Sequence, residues 1–523
     1  MKLMTLTTTL NLCSILDGSA REYPNKTAVV FGEQRYTYAQ INGAANKIAN
    51  ALVSKGIQKG DKVAVSCPNL PYFPMVYYGI LKIGATVVPL NVLLKKREIA
   101  YHLRDSDAKA YFCFVGTPDL PMGIEGWAGF NEVETCKDFW LMIPPEIPNP
   151  IEGAETINSI MTSESPLFES VSTLPTDTAV ILYTSGTTGQ PKGAELAHYN
   201  MFQNALVSGT LFTGVHEDIH LVTLPLFHSF GQTCQLNSGF LLGNTLVLIA
   251  RFDPDAVLSG FEKEGVTIFC GVPTMYWALL NHPNATNYDL NKISQTLRQC
   301  ASGGASLPVE VMKGFEEKYK VNILEGYGLS ETSPVASFGR ISKEKKAGSI
   351  GVPIHGVQMK VIDKEGNELP PNEIGEICIR GHNIMKGYYK KQEATEKVFL
   401  NGWFRSGDLG KMDEDGYFYI VDRTKDMVIR GGMNVYPREV EEVLMTHPKV
   451  SLAAVIGRPD EKMGEEIAAF IVLKDGENAT SEEIIEWSKN EMAAYKYPRE
   501  VVFKDALPMN ATGKILKRVL REE

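Results

Sequence analysis

Short β-branched apolar runs, separated by stretches of helical period, constrain the fold of this sequence most tightly. From 25 to 110 the runs TAVVF, KVAVSC and ATVVPL alternate with YAQINGAANKIANALVSKG, which reads as a helix closed by Gly56. The same rhythm returns over 177–327, where HLVTLP, TLVLIA, VTIFCGVP and VNILEGYG read as buried strands. Such alternation builds parallel sheets with helices on their faces. The expected class is α/β: two layered α/β sheets in a large N-terminal domain, 1–422. Residues 350–420 differ, because MKVID, GEICIR and GYFYIVD are short alternating strands between Gly and Asp turns, the pattern of a small β-barrel. Beyond 423–427, residues 428–523 suffice for a separate small α+β domain. It would hold a helix over 437–446 with Pro437 in its first turn and Val440, Val443 and Leu444 on one face. Strands AAVIG and AAFIVL follow. A second helix starts from the capping box Thr480-x-x-Glu483 and carries Ile484, Ile485 and Trp487.

Bulk properties exclude several functional classes. A chain of 523 residues exceeds one ordinary core. Its net charge of −10, with no basic stripe or arm, argues against nucleic acid as a partner. The eight cysteines form no Cys-x-x-Cys pair and sit near no histidine cluster, so free thiols fit better than disulfides or a zinc site. The opening MKLMTLTTTLNLCSILDGSA lacks the continuous apolar centre of a signal peptide. No run reaches the roughly 18 apolar residues of a membrane span. A cytoplasmic protein is expected, with any membrane contact peripheral.

The chemistry concentrates in a few loops. YTSGTTGQPKG, 183–193, follows the β-branched run TAVIL and precedes HYNMFQNALV, which reads as a helix. A strand, a glycine- and hydroxyl-rich loop and a helix can converge amides and hydroxyls on a phosphate. A P-loop is excluded by spacing: after Gly186 and four further residues comes Pro191, and Lys192 is followed by Gly193. The dinucleotide fingerprint is absent as well. A plain Gly/Ser/Thr surface loop has the same composition, but Lys192 behind a buried strand favours a bound polyphosphate. EGYGLSETSP places Ser330, Glu331 and Thr332 just past a strand, where α/β sheets bind ligands. Glu331 beside a phosphate loop suits a bridging Mg²⁺, and the alternative is a helix cap. Asp408 in GWFRSGDLG suits a pair of ribose hydroxyls, or a turn. Arg423 and Lys425 stand in DRTKD, and Lys514 stands in NATGKILKR; alone, each is an ordinary charged residue.

Taken together and in order, YTSGTTGQPKG, GYGLSETSP, GWFRSGDLG, DRTKDMVIRGGMNVYPREVEE and NATGKILKR resemble the adenylate-forming acyl-CoA synthetase family over essentially the whole chain. The resemblance implies an AMP-forming acid–thiol ligase using ATP, Mg²⁺ and CoA. Thr184, Ser185, Gly186, Thr187, Thr188, Gly189 and Lys192 would grip the β,γ-phosphates. Tyr327 would stack on adenine, in a slot lined by Gly304, Ala305 and Gly326, with Gly328 also binding ATP. Ser330 would touch the α-phosphate, and Glu331 with Thr184 would meet Mg²⁺. Asp408 and Arg423 would bind the ribose. Lys514 would bridge the carboxylate and α-phosphate, and Lys425 would be the hinge on which the small domain turns. Arg430, Gly431 and Gly432 would line the pantetheine tunnel, where Met433 departs from the charged or aromatic residue common in relatives. His228, in LPLFHSFGQT, would wall the pocket near the acyl carboxylate, or else be a core histidine satisfied by backbone.

The acid must be read from the pocket. HSFGQTCQLN carries no aspartate of the kind that holds an amino acid's ammonium group in relatives. Candidate wall residues Phe230, Gly231, Cys234, Met275, Gly303 and Val335 are apolar or small, which fits an apolar acyl group, each buried methylene contributing about 0.8 kcal/mol. A medium- or long-chain fatty acid is the first expectation, and a hydroxycinnamate such as coumarate or ferulate the second. A fatty acyl-AMP ligase usually carries an insertion after the hinge, absent from DRTKDMVIRGG; a luciferase-like monooxygenase shares the motifs. Relatives are often homodimers.

Overall fold

Two large sheets carry the N-terminal domain in the computed structural model, which describes residues 8–184, 190–423 and 426–523. One holds nine strands, in the order Val352–Pro353, Val335–Phe338, Ile323–Gly328, Gln299–Ser302, Ile268–Gly271, Ile219–Val222, Thr245–Leu248, Thr27–Phe31 and Gln34–Thr37. Its centre is parallel and its ends are antiparallel. The other holds eight: Gly387–Tyr388, Lys192–Ala197, Thr178–Thr184, Thr86–Pro89, Lys62–Ser66, Ala108–Phe114, Asp138–Met142 and Glu155–Thr156. The α/β class and layered sheets agree with the sequence reading.

The chain crosses between the layers where the sequence suggested two consecutive blocks. Thr27–Phe31 lies parallel to Thr245–Leu248, with Val29 opposite Leu246, whereas Thr178–Thr184 joins Thr86–Pro89 in the other sheet. Strands buried on both faces read alike in sequence, so periodicity cannot choose their neighbours.

A second difference bears on the site. The glycine-rich loop does not lead from strand to helix. It joins two antiparallel strands, with Tyr183 opposite Gly193 and Thr184 opposite Lys192, and the helix His198–Leu211 begins only after the return strand.

Local chemistry fixes the helices. Tyr38–Ser54 opens with a capping box, in which the Thr37 hydroxyl accepts from the Gln40 amide (3.2 Å) and the Gln40 carbonyl oxygen accepts from the Thr37 amide (2.8 Å). Its stripe Ile41, Ala45, Ile48 and Leu52 is fully buried. Gly79 of the neighbouring helix Tyr72–Lys82 lets the two cross closely, because a Cβ there would stand 2.7 Å from Ile48 Cγ2.

Over 350–420 the expected small barrel is a five-stranded antiparallel sheet whose path branches. The ten-residue strand Trp403–Met412 pairs with Gly375–Gly381, Phe399–Leu400 and Phe418–Arg423, so its length accommodates three partners. The C-terminal domain has Gly464–Leu473 as its central strand, paired with Val450–Asp460, Val428–Arg430 and Glu500–Phe503. Pro437–Leu444 and Ser481–Glu491 are helices in the expected places, and a short third helix, Lys517–Glu522, follows. Thr480 caps the second by accepting from the Glu483 amide (3.2 Å), while the Glu483 carboxylate pairs with Lys449 (2.7 Å). All eight cysteines are buried and unpaired.

Candidate active site

Asp408 stands directly opposite Arg423 where Trp403–Met412 pairs with Phe418–Arg423. Its carboxylate, with a side chain only 5% exposed, accepts from the Tyr327 hydroxyl (2.6 Å) and meets Arg423 Nε at 3.1 Å. Burial, reinforced by the Asp408 charge, pushes the Tyr327 phenol well up, so it stays a donor. These contacts answer the turn-aspartate alternative: the side chain is held inward by two donors from other strands. Tyr327 is the penultimate residue of the strand Ile323–Gly328, whose Gly326 packs on Phe338 so closely that a Cβ would fall 2.5 Å from its Cδ2. Gly303, one strand over, faces both Phe230 and the Gly326 carbonyl; a Cβ there would lie 3.1 Å from Phe230 Cε1 and 3.2 Å from that oxygen. Gly304 follows at φ +81°, a conformation glycine adopts without strain.

Glu331 lies in the 3₁₀ turn Ser330–Thr332 and is buried. The capping role belongs to Thr332, whose hydroxyl accepts from the Leu329 amide (2.8 Å). Glu331 instead accepts from the Tyr388 hydroxyl (2.8 Å), and Lys192 Nζ sits 5.3 Å from the centre of the Tyr388 ring. Tyr388 thus joins the expected acid to the expected phosphate lysine. Sequence reasoning missed it; the signal was the aromatic pair in KGYYK, which pairs with the return strand of the phosphate hairpin, Tyr388 opposite Ala194. Thr184 closes the outgoing strand of that hairpin. Ser185, Gly186, Thr187, Thr188 and Gly189 lie outside the described residues, as does Lys425.

His228 accepts from the Phe230 amide at Nδ1 (3.3 Å), which leaves Nε2 as the protonated nitrogen. Burial, and then the positive charge of Lys514, holds its pKa down to about 4. The imidazole is therefore neutral at ordinary pH, and the lysine of the C-terminal domain lies close enough to act on it. After His228 the backbone forms a π-helix, Phe230–Asn237, which periodicity did not anticipate. Wider turns of this kind gather at functional sites. Gly231 packs against the preceding turn, where a Cβ would lie 2.7 Å from the Pro225 carbonyl oxygen. Cys234 accepts from Ser208 (3.5 Å), and Met275 Sδ accepts from Thr223 (3.5 Å). Asn204 clamps Val335 through its amide (3.0 Å) and carbonyl (2.9 Å). Cys234, Met275 and Val335 share one apolar core, against which Phe230 packs.

The loop bearing Lys514 is preshaped. Asn510 Oδ1 accepts from the amides of Thr512 (3.0 Å) and Lys514 (2.9 Å), and Gly513 sits at φ +77°. It docks on the N-terminal domain, with the Gly513 carbonyl accepting from Thr274 Oγ1 (2.7 Å). Arg430, by contrast, pairs with Glu466 through two bonds of 2.7 Å, and Gly431 donates to the Met463 carbonyl (2.7 Å). These bonds hold the 430–434 hairpin to its own domain, with Met433 half exposed. The Lys514 charge thus reaches His228, while Arg430 and Gly431 bond within their own domain.

Comparison with known proteins decides the family. The model for AMP-binding enzymes matches residues 16–389, and the model for their C-terminal domain matches 439–514. The chain belongs to the adenylate-forming acyl-CoA synthetases of the AMP-binding enzyme family. It is 39% identical to a long-chain-fatty-acid–CoA ligase of Bacillus subtilis, over 98% of this chain and 94% of that protein. It is 36% identical to a feruloyl-CoA synthase of an Amycolatopsis species, over 96% of each. An anthranilate–CoA ligase solved with anthranoyl-AMP superposes with a TM-score of 0.90 at 29% identity, covering 100% of this chain and 98% of that one.

As an AMP-binding enzyme, the protein gathers its unlike charges in separate places. Asp408 and Arg423 form one pair, Glu331 with Tyr388 and Lys192 a second group, and the Lys514 charge acts on neutral His228. Among the described residues no helix is long and apolar enough to cross a membrane, and no three His, Cys, Asp or Glu side chains form a metal cluster.

Proposed function

We propose that the protein activates an apolar carboxylic acid, foremost a medium- or long-chain fatty acid, as acyl-AMP with release of pyrophosphate. It then passes the acyl group to the CoA thiol with release of AMP. The observation that carries this reading is the docked Lys514 loop, which sets an ammonium group near the neutral imidazole of His228. The first step brings a carboxylate to a polyphosphate, so positioning and charge neutralisation dominate it. In this reading Lys514 spans the carboxylate and the α-phosphate, and His228 walls the acyl end. Asp408 and Arg423 hold the ribose beside Tyr327, and Lys192 with Thr184–Gly189 grips the outgoing pyrophosphate. Ser330 meets the α-phosphate.

Glu331 and Thr184 are the residues that would hold Mg²⁺. The buried Glu331 carboxylate and a threonine hydroxyl are hard oxygen donors of the kind that ion takes. When bound it neutralises phosphate charge. For the second step we assign the hinge to 423–427, with Lys425 as pivot, between domains 1–422 and 428–523. Turning on it would withdraw Lys514 and bring Arg430, Gly431 and Gly432 to the pantetheine arm. A cytoplasmic location and a homodimer belong to the same reading.

A hydroxycinnamate is the second reading, favoured by the close packing of Gly303 on Phe230, which suits a flat ring, and by the feruloyl-CoA synthase relative. The test is a panel of carboxylic acids assayed for AMP formation with and without CoA. Fatty acids should release AMP and form thioester only when CoA is present. Formation of ADP and phosphate, or oxygen consumption with a luciferin, would refute the reaction.

A further inference from the structure

The helix Pro273–Leu280 presents two faces to two different tasks. Met275 and Tyr276 point into the buried interior, Met275 against Thr223 of the strand-end that leads towards His228. Thr274 and Trp277, three residues apart and so on one side of the helix, both bond to the C-terminal domain. Thr274 Oγ1 donates to the Gly513 carbonyl (2.7 Å), and Trp277 Nε1 donates to both the carbonyl and the hydroxyl of Ser451 (3.0 Å each). We propose that Thr274 is a positioning residue for adenylation, its hydroxyl seating the loop that carries Lys514, with Trp277 fixing the domain that presents this loop.

Three observations support the assignment. The Thr274 bond falls on the residue immediately before Lys514, so it fixes the root of the lysine side chain. The fit is also steric, because a Cβ on Gly513 would lie 2.9 Å from both Thr274 Oγ1 and Val272 Cγ2. Finally, the loop reaches Thr274 already shaped by Asn510, whose side chain also accepts from the Thr512 hydroxyl (2.7 Å). Thr274 therefore adds location rather than local conformation. Both helix-to-domain contacts belong to the arrangement with Lys514 docked, and a contact present in one arrangement alone shifts the balance towards it.

The inference rests on the proposed role of Lys514 in the first half-reaction, and the test separates the two. Thr274→Val keeps the shape and removes the donor, Thr274→Ser keeps the donor, and Trp277→Phe keeps a ring without its N–H. Each is measured for acid-dependent pyrophosphate release without CoA, and for conversion of supplied acyl-AMP and CoA to thioester. Loss of a neutral hydrogen bond predicts a drop of about 3- to 10-fold in the first assay for Thr274→Val and Trp277→Phe. The second assay should be undiminished, which also shows that the variants fold, and Thr274→Ser should recover the first rate. In a Lys514→Ala background, Thr274→Val should cost nothing further, because it acts through that lysine. Equal losses in both assays, failure of serine to rescue, or an additive loss in the double variant would overturn the assignment. If Lys514→Ala itself spares pyrophosphate release, the role of Lys514 falls, and the inference with it. If Lys514→Ala is impaired and Thr274→Val is not, only the positioning role falls.

Discussion

Tyr327 and Arg423 each hold one of the two oxygens of Asp408, the phenol at 2.6 Å and the guanidinium Nε at 3.1 Å. The carboxylate is thereby oriented, with lone pairs left over for a ligand's hydroxyls. Asp408→Ala removes this acceptor and leaves Arg423 without its partner. Hydrogen bonds to charged groups contribute about 1.5–3 kcal/mol, so KM for ATP should rise roughly 10- to 100-fold. Steady-state kinetics at saturating acid and CoA will show it, and an unchanged KM for ATP would remove Asp408 from the nucleotide site.

Lys514 and His228 are electrically linked. Lys514→Ala should lower adenylation by roughly 10²–10³, the usual cost of losing one preorganised charge. It should also remove the secondary cause of the low His228 pKa and let that value rise above about 4. Histidine resonances followed by NMR from pH 3.5 to 7 report this directly. A His228 titration indifferent to the substitution would contradict their proximity.

Substrate choice should follow apolar contact. In a fatty-acid pocket each added methylene is worth about 0.8 kcal/mol, so kcat/KM should climb roughly fourfold per carbon until the cavity ends. Assays from octanoate to palmitate trace that limit. Strong turnover of ferulate beside negligible turnover of fatty acids would reverse the order of the two readings.

Stability should fall as the solution is acidified from pH 6.5 towards 4. Burial holds His198 and His220 down to about 4, so between that value and the ordinary histidine range the unfolded chain binds more protons than the folded one. At pH 5 this amounts to ~2 kcal/mol for each. Buried Glu325 works in the opposite sense in this window, because burial raises its pKa to about 7. With His228 also held down to about 4, three histidines outweigh Glu325 and the smaller upward shifts of buried Asp422 and Glu442. Urea denaturation at pH 7.5 and pH 5 measures the net slope, which His220→Asn should make shallower.

What sequence could reveal depended on whether the signal was local. The Thr480 cap, the apolar stripe of Tyr38–Ser54 and the helix Pro437–Leu444 follow from neighbours a few residues apart. Asp408 and Lys514 were legible because their motifs occur in a fixed order, though nothing local distinguishes either from a surface charge. Tyr388 was not legible, since its role arises only when the 387–388 strand lands on the phosphate hairpin. The π-helix at Phe230 was equally hidden, because no repeat of apolar residues marks it, though its Gly231 packs under the Leu224 and Pro225 carbonyls.

The partnership of Thr27–Phe31 with Thr245–Leu248 has a consequence for how the protein is made. The strand Gln34–Thr37 covers one edge of Thr27–Phe31 almost at once, but the other edge waits until residue 245 has left the ribosome. At 5–20 residues per second, synthesis of the intervening stretch occupies on the order of 10–40 s. Throughout that interval a nascent chain displays the open edge of an apolar strand, a template for pairing with other chains. Premature termination anywhere before residue 245 would leave that edge permanently bare, so truncated products of this protein should be markedly more prone to aggregate than the finished enzyme.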